Sequence, residues 1–308
     1  MEQKYIYGNR KISNMNKNAG DNSLIDYLQS LVGVPNNVKI IYQYTNIEAL
    51  FNGIIVKNPV IDKEICLWAS NCEYMNDPDE VRTGRKFIDK VFKSSFDKKR
   101  DSASENKKIE EEIKKEFFIT SFSLSQDSLP MWEMYGRKGC GIALGFDKDI
   151  LLNDFSDFMY RCIYVDDIYK DIINQLLKEP MSVGENLKLA NKEDVIKTFG
   201  KLIIDIMGNI IMFSLISVGA MYLIKNPYYK YENEVRLLQL AKENIEYRYQ
   251  NNFIIPYIKN YFPKSALKEV WIGPANNIER TKKSLRAYLD AKGFNNVKIV
   301  ASKIPYRS

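Results

Sequence analysis

Short runs rich in β-branched and aromatic residues recur along this chain at irregular spacing. They constrain its fold more than any other feature. Residues 38–44 (VKIIYQY), 65–70 (ICLWAS), 117–123 (FFITSFS), 140–146, 158–165, 234–240 (EVRLLQL), 267–272 and 297–302 each have the length and composition of a strand. Helical patterns fall between them. These are an amphipathic segment at 23–32, a short helix capped by Asn46 and ended by Gly53, and a turn at 76–80 leading into a helix to about residue 96. Further on come a charged helical segment at 98–116, a helical turn at 130–135, a mostly helical stretch at 167–200, and a helix over 277–291 stopped by Gly293. Strands and helices alternate without a regular order, which predicts an α+β fold. Residues 8–22, rich in Asn, Lys and Gly, are expected to be mobile.

Residues 206–224 carry no charge, a length that raises the question of a membrane span. Asn209, Ser214, Ser217, Gly208 and Gly219 interrupt the stretch, and no second span or paired aromatic belt accompanies it. A buried core helix is the expectation, with no membrane partner. The N-terminus has no apolar run, so no signal peptide is expected. The four cysteines (Cys66, Cys72, Cys140, Cys162) form no C-x-x-C pair. They fit reduced thiols in a cytoplasmic protein.

The chain contains no histidine. That excludes a Ser-His-Asp triad, a Cys-His dyad, an imidazole metal site and a histidine general base. Carboxylates, hydroxyls, tyrosines, lysines or a bound co-substrate must carry any chemistry. The net charge of +6 is concentrated at one end. Residues 264–308 hold ten Lys/Arg against three Asp/Glu. This unit reads either as a solvated basic face or as a surface for nucleic acid.

Three short elements stand out: Tyr42-Gln43-Tyr44-Thr45, Ser121-Phe122-Ser123 and Glu232-Asn233-Glu234. Each has a plain structural reading. Ser121 and Ser123 would line the polar face of a half-buried strand, and Glu232 and Glu234 would face solvent, paired with Arg236. Period two also puts Glu232 and Glu234 on one side of a strand, provided the extended conformation begins by Glu232. Two carboxylates on one edge raise each other's pKa and suit charge stabilisation or acid–base work. Two serines at that spacing can orient sugar hydroxyls. Tyr42, Tyr44, Trp132, Tyr135 and Tyr231 serve either as core or as surfaces that stack on a flat heterocycle. Asn76, in Asn76-Asp77-Pro78, either caps a turn or lines a cleft.

These elements, with Tyr74-Met75-Asn76-Asp77-Pro78-Asp79-Glu80, Met131-Trp132-x-x-Tyr135, Gly141…Gly145-Phe146-Asp147 and Tyr231-Glu232-Asn233-Glu234-Val235-Arg236, resemble the bacterial domain-of-unknown-function family numbered 2971. The resemblance covers roughly residues 38–275. That family is in turn similar to the ADP-ribosyltransferase superfamily. The resemblance implies a split mixed β-sheet core with inserted helices. It implies an N-terminal arm and helix over 1–37, a catalytic domain over 38–275, and a basic helix–strand unit over 276–308 completing the same domain.

The implied activity is cleavage of the nicotinamide–ribose bond of NAD, a co-substrate, without a metal. ADP-ribose would pass to a macromolecular acceptor, protein or nucleic acid, in the setting of a bacterial toxin or anti-phage effector. By the same resemblance Glu234 stabilises the ribose cation, Glu232 holds or deprotonates the acceptor, and Ser121 orients ribose or Glu234. Gln43, Tyr44, Thr45, Ser121, Ser123, Asn76, Trp132 and Tyr135 would contact NAD. Gln43 stands where the family pattern has histidine. An amide can hold a ribose hydroxyl but brings no charge to the pyrophosphate. Two alternatives follow: an NAD glycohydrolase using the same Glu234, and a degenerate binding module with a basic surface facing nucleic acid.

Overall fold

The computed structural model describes residues 33–59, 62–75, 84, 86, 115–152, 158–164, 222–250 and 252–306. The expected elements at 8–22, 23–32 and 167–200, most of 76–96 and of 98–116, and Asn76 lie outside them.

A ten-stranded, mostly antiparallel open sheet organises the chain. Its strands in chain order are β1 (Ile40–Thr45), β2 (Ile65–Asn71), β3 (Phe117–Ser123), β4 (Ile142–Asp147), β5 (Phe158–Arg161), β8 (Glu234–Leu240), β9 (Glu246–Gln250), β10 (Phe253–Phe262), β11 (Leu267–Ile272) and β12 (Lys298–Ala301). Two short strands, β6 (Ile163–Tyr164) and β7 (Ile224–Lys225), pair in parallel beside it. The described helices are few: α1 (Ile47–Ala49), α2 (Leu129–Met134), α3 (Lys148–Leu151) and α4 (Ile278–Ala291). The α+β class therefore follows from the structure as well as from the sequence pattern.

The main path runs β12-β11-β4-β1-β3-β2-β10-β9, and β8 joins β3 off that path, carrying β5 on its other edge. Alternation gives the sheet two distinct faces. On one, Ile41, Leu144, Phe146, Val270 and Ile272 pack against Leu285 and Leu289 of α4. On the other, Tyr42, Tyr44 and Ala143 pack with Met131, Trp132 and Trp271.

Helix α4 shows how local chemistry sets an element. Asn277 accepts from the Arg280 N–H at its start. Leu285 and Leu289, four apart, form its buried stripe, each contributing roughly 1.5–3 kcal/mol by burial. Gly293, at φ +78°, turns the chain, and the Phe294 N–H closes back on the Leu289 carbonyl.

Several elements differ from expectation. The run at 158–165 is broken at Cys162 into β5 and β6. Residues 222–224, expected at the end of a core helix, form a turn and the start of β7; residues 206–221 lie outside the described part. The β9–β10 hairpin was not anticipated. Pro256 within β10 argues against a strand, yet it sits just before the β2-paired stretch begins at Tyr257. Among the described residues no helix is long and apolar enough to cross a membrane.

Gly141 lies where β1 and β4 meet the loop after α2. A Cβ there would stand 2.3 Å from the Thr45 carbonyl oxygen. Gly53 has only ordinary contact, at 3.7 Å from Trp68. Gly141→Ala should lower stability by about 1–3 kcal/mol or more in urea unfolding. Gly53→Ala should be neutral or gain about 0.5–1 kcal/mol.

Candidate active site at a parting of the sheet

Strand β3 pairs along its whole length with β8. Its other edge is shared. Phe118 and Ile119 pair with β2, and Ser123 alone pairs with β1, at Tyr42. Beyond Tyr42, β1 follows β4 instead, through Thr45↔Ile142. Among the described strands none pairs with residues 120–122 on that edge, so the sheet parts there. The parting opens a cavity of about 100 Å³. Tyr44, Ser121, Tyr135, Lys225, Glu232 and Glu234 are among its walls.

Register explains which side chains meet. Ser123 lies opposite Glu234 and Ser121 opposite Arg236, so all four share one face. Tyr42, opposite Ser123, brings itself and Tyr44 to that face. Glu232 arrives differently. It ends a 3-10 turn (Pro227–Glu232), and Asn233 adopts a left-handed conformation, φ 44° and ψ 50°. The extended conformation begins only at Glu234, so strand period does not place the two carboxylates together. The bend at Asn233 does. Its carbonyl accepts from the Leu124 N–H, fixing the bend to the end of β3.

Both carboxylates converge on Lys225 of β7. The ammonium donates to Glu234 Oε2 at 2.8 Å and to Glu232 Oε2. Arg236 forms a fork on Glu234, Nε to Oε1 at 3.0 Å and Nη2 to Oε2 at 2.9 Å, and donates also to the Tyr222 carbonyl. The Cys162 thiol donates to Glu234 Oε2 at 3.4 Å, and the Tyr135 hydroxyl to Glu232 Oε1 at 2.6 Å. All four charged side chains are at least nine-tenths buried. Two cations thus balance two anions out of water, the condition under which buried charges persist.

The titration directions follow. Burial pushes the Glu234 carboxyl up and the Glu232 charge adds to that, while Lys225 opposes it. Burial pulls Lys225 down, but Glu234 and Glu232 together hold it above its ordinary 10.5. Burial drives the Cys162 thiol far up, so it stays a protonated donor. Burial and the bond to Glu232 raise the Tyr135 phenol.

The anticipated residues divide. Ser121, Glu232, Glu234, Tyr44 and Tyr135 line the cavity. The buried Ser121 Oγ sits close enough to Glu234 to favour its ionised form, yet has no partner at hydrogen-bonding geometry. Ser123 also lines the cavity, but its hydroxyl is engaged. It donates to the Glu232 carbonyl at 2.6 Å and accepts from the Ser125 N–H. Gln43 lies opposite Leu144, on the face away from the carboxylates, and reaches the cavity beside Phe122 where the strands part.

Thr45 lies opposite Ile142 on that same far face and is not in the cavity. Trp132 is fully buried, its indole N–H on Asp127 at 2.7 Å and its ring edge-on to Tyr44 at 4.8 Å. It supports Tyr44 from behind and presents no face to a ligand. The Tyr44 hydroxyl donates to the Ser125 carbonyl and accepts from the Ser128 N–H. Arg236 was read as a surface partner and is wholly buried. Lys225 was missed. Its one signal was position, the first charge after the long uncharged stretch and just before Asn226-Pro227.

Residues 131–237 match the family model described as protein of unknown function (DUF2971). The match contains Tyr135, Cys162, Lys225, Glu232, Glu234 and Arg236, and leaves out β1 and β3. No curated protein matches the chain, and no solved structure does.

Because the fold holds the Lys225 proton more tightly than the unfolded chain, its contribution is complete below pH 10.5 and is lost as pH rises beyond it. Lys225→Met should cost about 3–5 kcal/mol at neutral pH. Above pH 10.5 it should flatten the fall of unfolding free energy by about 1.4 kcal/mol per pH unit relative to wild type. Chemical denaturation across that range checks both.

Proposed function

We propose that this chain is an NAD-dependent ADP-ribosyltransferase acting as a bacterial effector, of the toxin or anti-phage kind, on an ADP-ribosyltransferase-like split sheet. One observation carries the reading: Ser121, Glu232, Glu234 and Tyr135 converge on a single cavity where β1 leaves β3.

Breaking the nicotinamide–ribose bond develops positive charge on the ribose, as in glycoside chemistry. Glu234 supplies a fixed negative charge. Burial alone would protonate it, and Lys225 and Arg236 oppose that. Ser121 has a hydroxyl without a partner, suited to a ribose oxygen or to Glu234. Glu232, a cavity-lining member of the same charge cluster, is the base for the acceptor. Nicotinamide carries positive charge before cleavage, so it leaves without a metal or an imidazole. The cavity of about 100 Å³ is well below the roughly 300–1,000 Å³ of common ligand pockets. It takes the nicotinamide end, and the rest of the dinucleotide lies across the opening.

A second reading, a binding module without turnover, is favoured by one observation. Both oxygens of Glu234 already accept from Arg236, and one also accepts from Lys225 and Cys162. The deciding assay is nicotinamide release from NAD, with and without cell lysate. Wild type should release it, and Glu234→Gln should lower the rate by roughly 10²–10³-fold with the fold intact. Equal rates in the two proteins would remove Glu234 from the chemistry. No release from wild type under either condition would leave the binding-module reading.

A further inference from the structure

We propose that the sheet face beside the cavity holds the phosphate and base of a dinucleotide, with the Arg248 guanidinium on the phosphate and the Trp68 ring against the base. The dinucleotide as occupant rests on the transferase reading, while the phosphate and ring contacts stand on geometry alone.

The face that carries the carboxylates continues from the cavity across β2, β10 and β9. Ser70 lies opposite Ile119 on β3 and opposite Tyr257 on β10. Ser121, in the cavity wall, is therefore the diagonal neighbour of Ser70, about 7–8 Å away across the strands. Trp68, two residues before Ser70, shares that face with Tyr257, Lys259 and Tyr261. Trp68 and Tyr261 are exposed. Arg248 reaches the same face from β9. Its Nη2 donates to Ser70 Oγ at 2.8 Å, and its Cζ lies 5.5 Å from the Trp68 ring centre and 5.8 Å from that of Tyr257. The two rings stand 4.6 Å apart, tilted by 34°.

Arg248 is the cation of this group that touches no carboxylate among the described residues. Glu246, on the same strand, is taken by Lys259 at 2.8 Å and by the Tyr257 hydroxyl at 2.9 Å. Ser70 is the one described acceptor on Arg248, and the Arg248 Nε is buried without one. Burial pulls the guanidinium below its ordinary range, and the two ring faces offset part of that cost. A planar fork in this condition, with donors to spare, matches a phosphate. An exposed indole beside it matches a base, because every base has a flat face.

The other side of the cavity offers the opposite charge. There the Tyr42 hydroxyl donates to the Glu269 carboxylate at 2.6 Å, and the Trp271 indole donates to the same oxygen at 3.0 Å. A carboxylate repels a phosphate, so the anionic half of the ligand runs toward β2 and β9. Gln43 brings no charge to the pyrophosphate. Arg248 supplies it from the last strand on that side of the sheet.

The test titrates ADP-ribose and adenosine into the full chain. Trp132 and Trp271 are buried, so quenching of tryptophan fluorescence reports on Trp68. ADP-ribose should quench wild type, and Trp68→Phe should lose the quenching while calorimetry still detects binding. Arg248→Gln should bind ADP-ribose roughly tenfold or more weakly, the loss of one charged hydrogen bond, and should bind adenosine as wild type does. Arg248→Lys, which keeps the charge without the fork, should fall between the two and keeps the inference testable if Arg248→Gln does not fold. Unchanged ADP-ribose affinity in Arg248→Gln, or an equal loss for ADP-ribose and adenosine, would overturn the inference. So would a wild type that binds no ADP-ribose. Nicotinamide release separates this inference from the transferase reading. Release by wild type with an unchanged KM for NAD in Arg248→Gln would remove Arg248 and leave the transferase. ADP-ribose held through Arg248 by a wild type that releases no nicotinamide would keep the site and sink the transferase.

Discussion

The site depends on one buried ammonium. Lys225 is the point where Glu232, from the end of a 3-10 turn, and Glu234, from the first residue of β8, are held together. Two carboxylates brought this close without a cation would share a proton. Burial pushes Glu234 further toward the neutral form. Lys225 and Arg236 oppose that outcome, and each of the four buried charges is matched by an opposite one. A cluster of this kind stabilises little by itself. It specifies strongly, because losing any one member strands another.

The sheet supplies the setting. Strand β1 is committed to β4 over six residues and pairs with β3 only at Tyr42↔Ser123. Strand β3 is committed to β8 over seven. The two halves therefore diverge, and the backbone they leave between them is the cavity wall. Ser123 and the Asn233 bend tie the divergence point to the carboxylates through the Glu232 and Asn233 carbonyls. Trp132 and Tyr44 brace the opposite wall.

Much of this was legible in the sequence. Runs such as FFITSFS and EVRLLQL became β3 and β8 at the expected bounds, because β-branched and aromatic content over a short span leaves few alternatives. Asn277 and Gly293 bounded α4 through local hydrogen bonds that need no tertiary context. The grouping of Ser121, Glu232 and Glu234 was implied by the family resemblance alone, since the strand period that would pair Glu232 with Glu234 fails at the Asn233 bend. What escaped was decided by tertiary pairing. Lys225 looks like an ordinary charge after an apolar stretch until β7 docks on β6. Cys162 breaks a continuous apolar run because its N–H and thiol are both drawn to Glu234. Thr45 and Trp132 were assigned by neighbourhood in sequence, while alternation sends Thr45 to the far face and packing buries Trp132. The β9–β10 hairpin was hidden by Pro256, tolerable only where no partner strand needs its N–H.

The central claim is that Lys225 and Glu234 act as one unit within the fold. A double-mutant cycle on Lys225→Met and Glu234→Gln, read by urea unfolding at neutral pH, measures that directly. The account predicts a coupling energy of about 1–3 kcal/mol, with the double variant more stable than the sum of the single losses allows. Additive losses, with a coupling near zero, would contradict it.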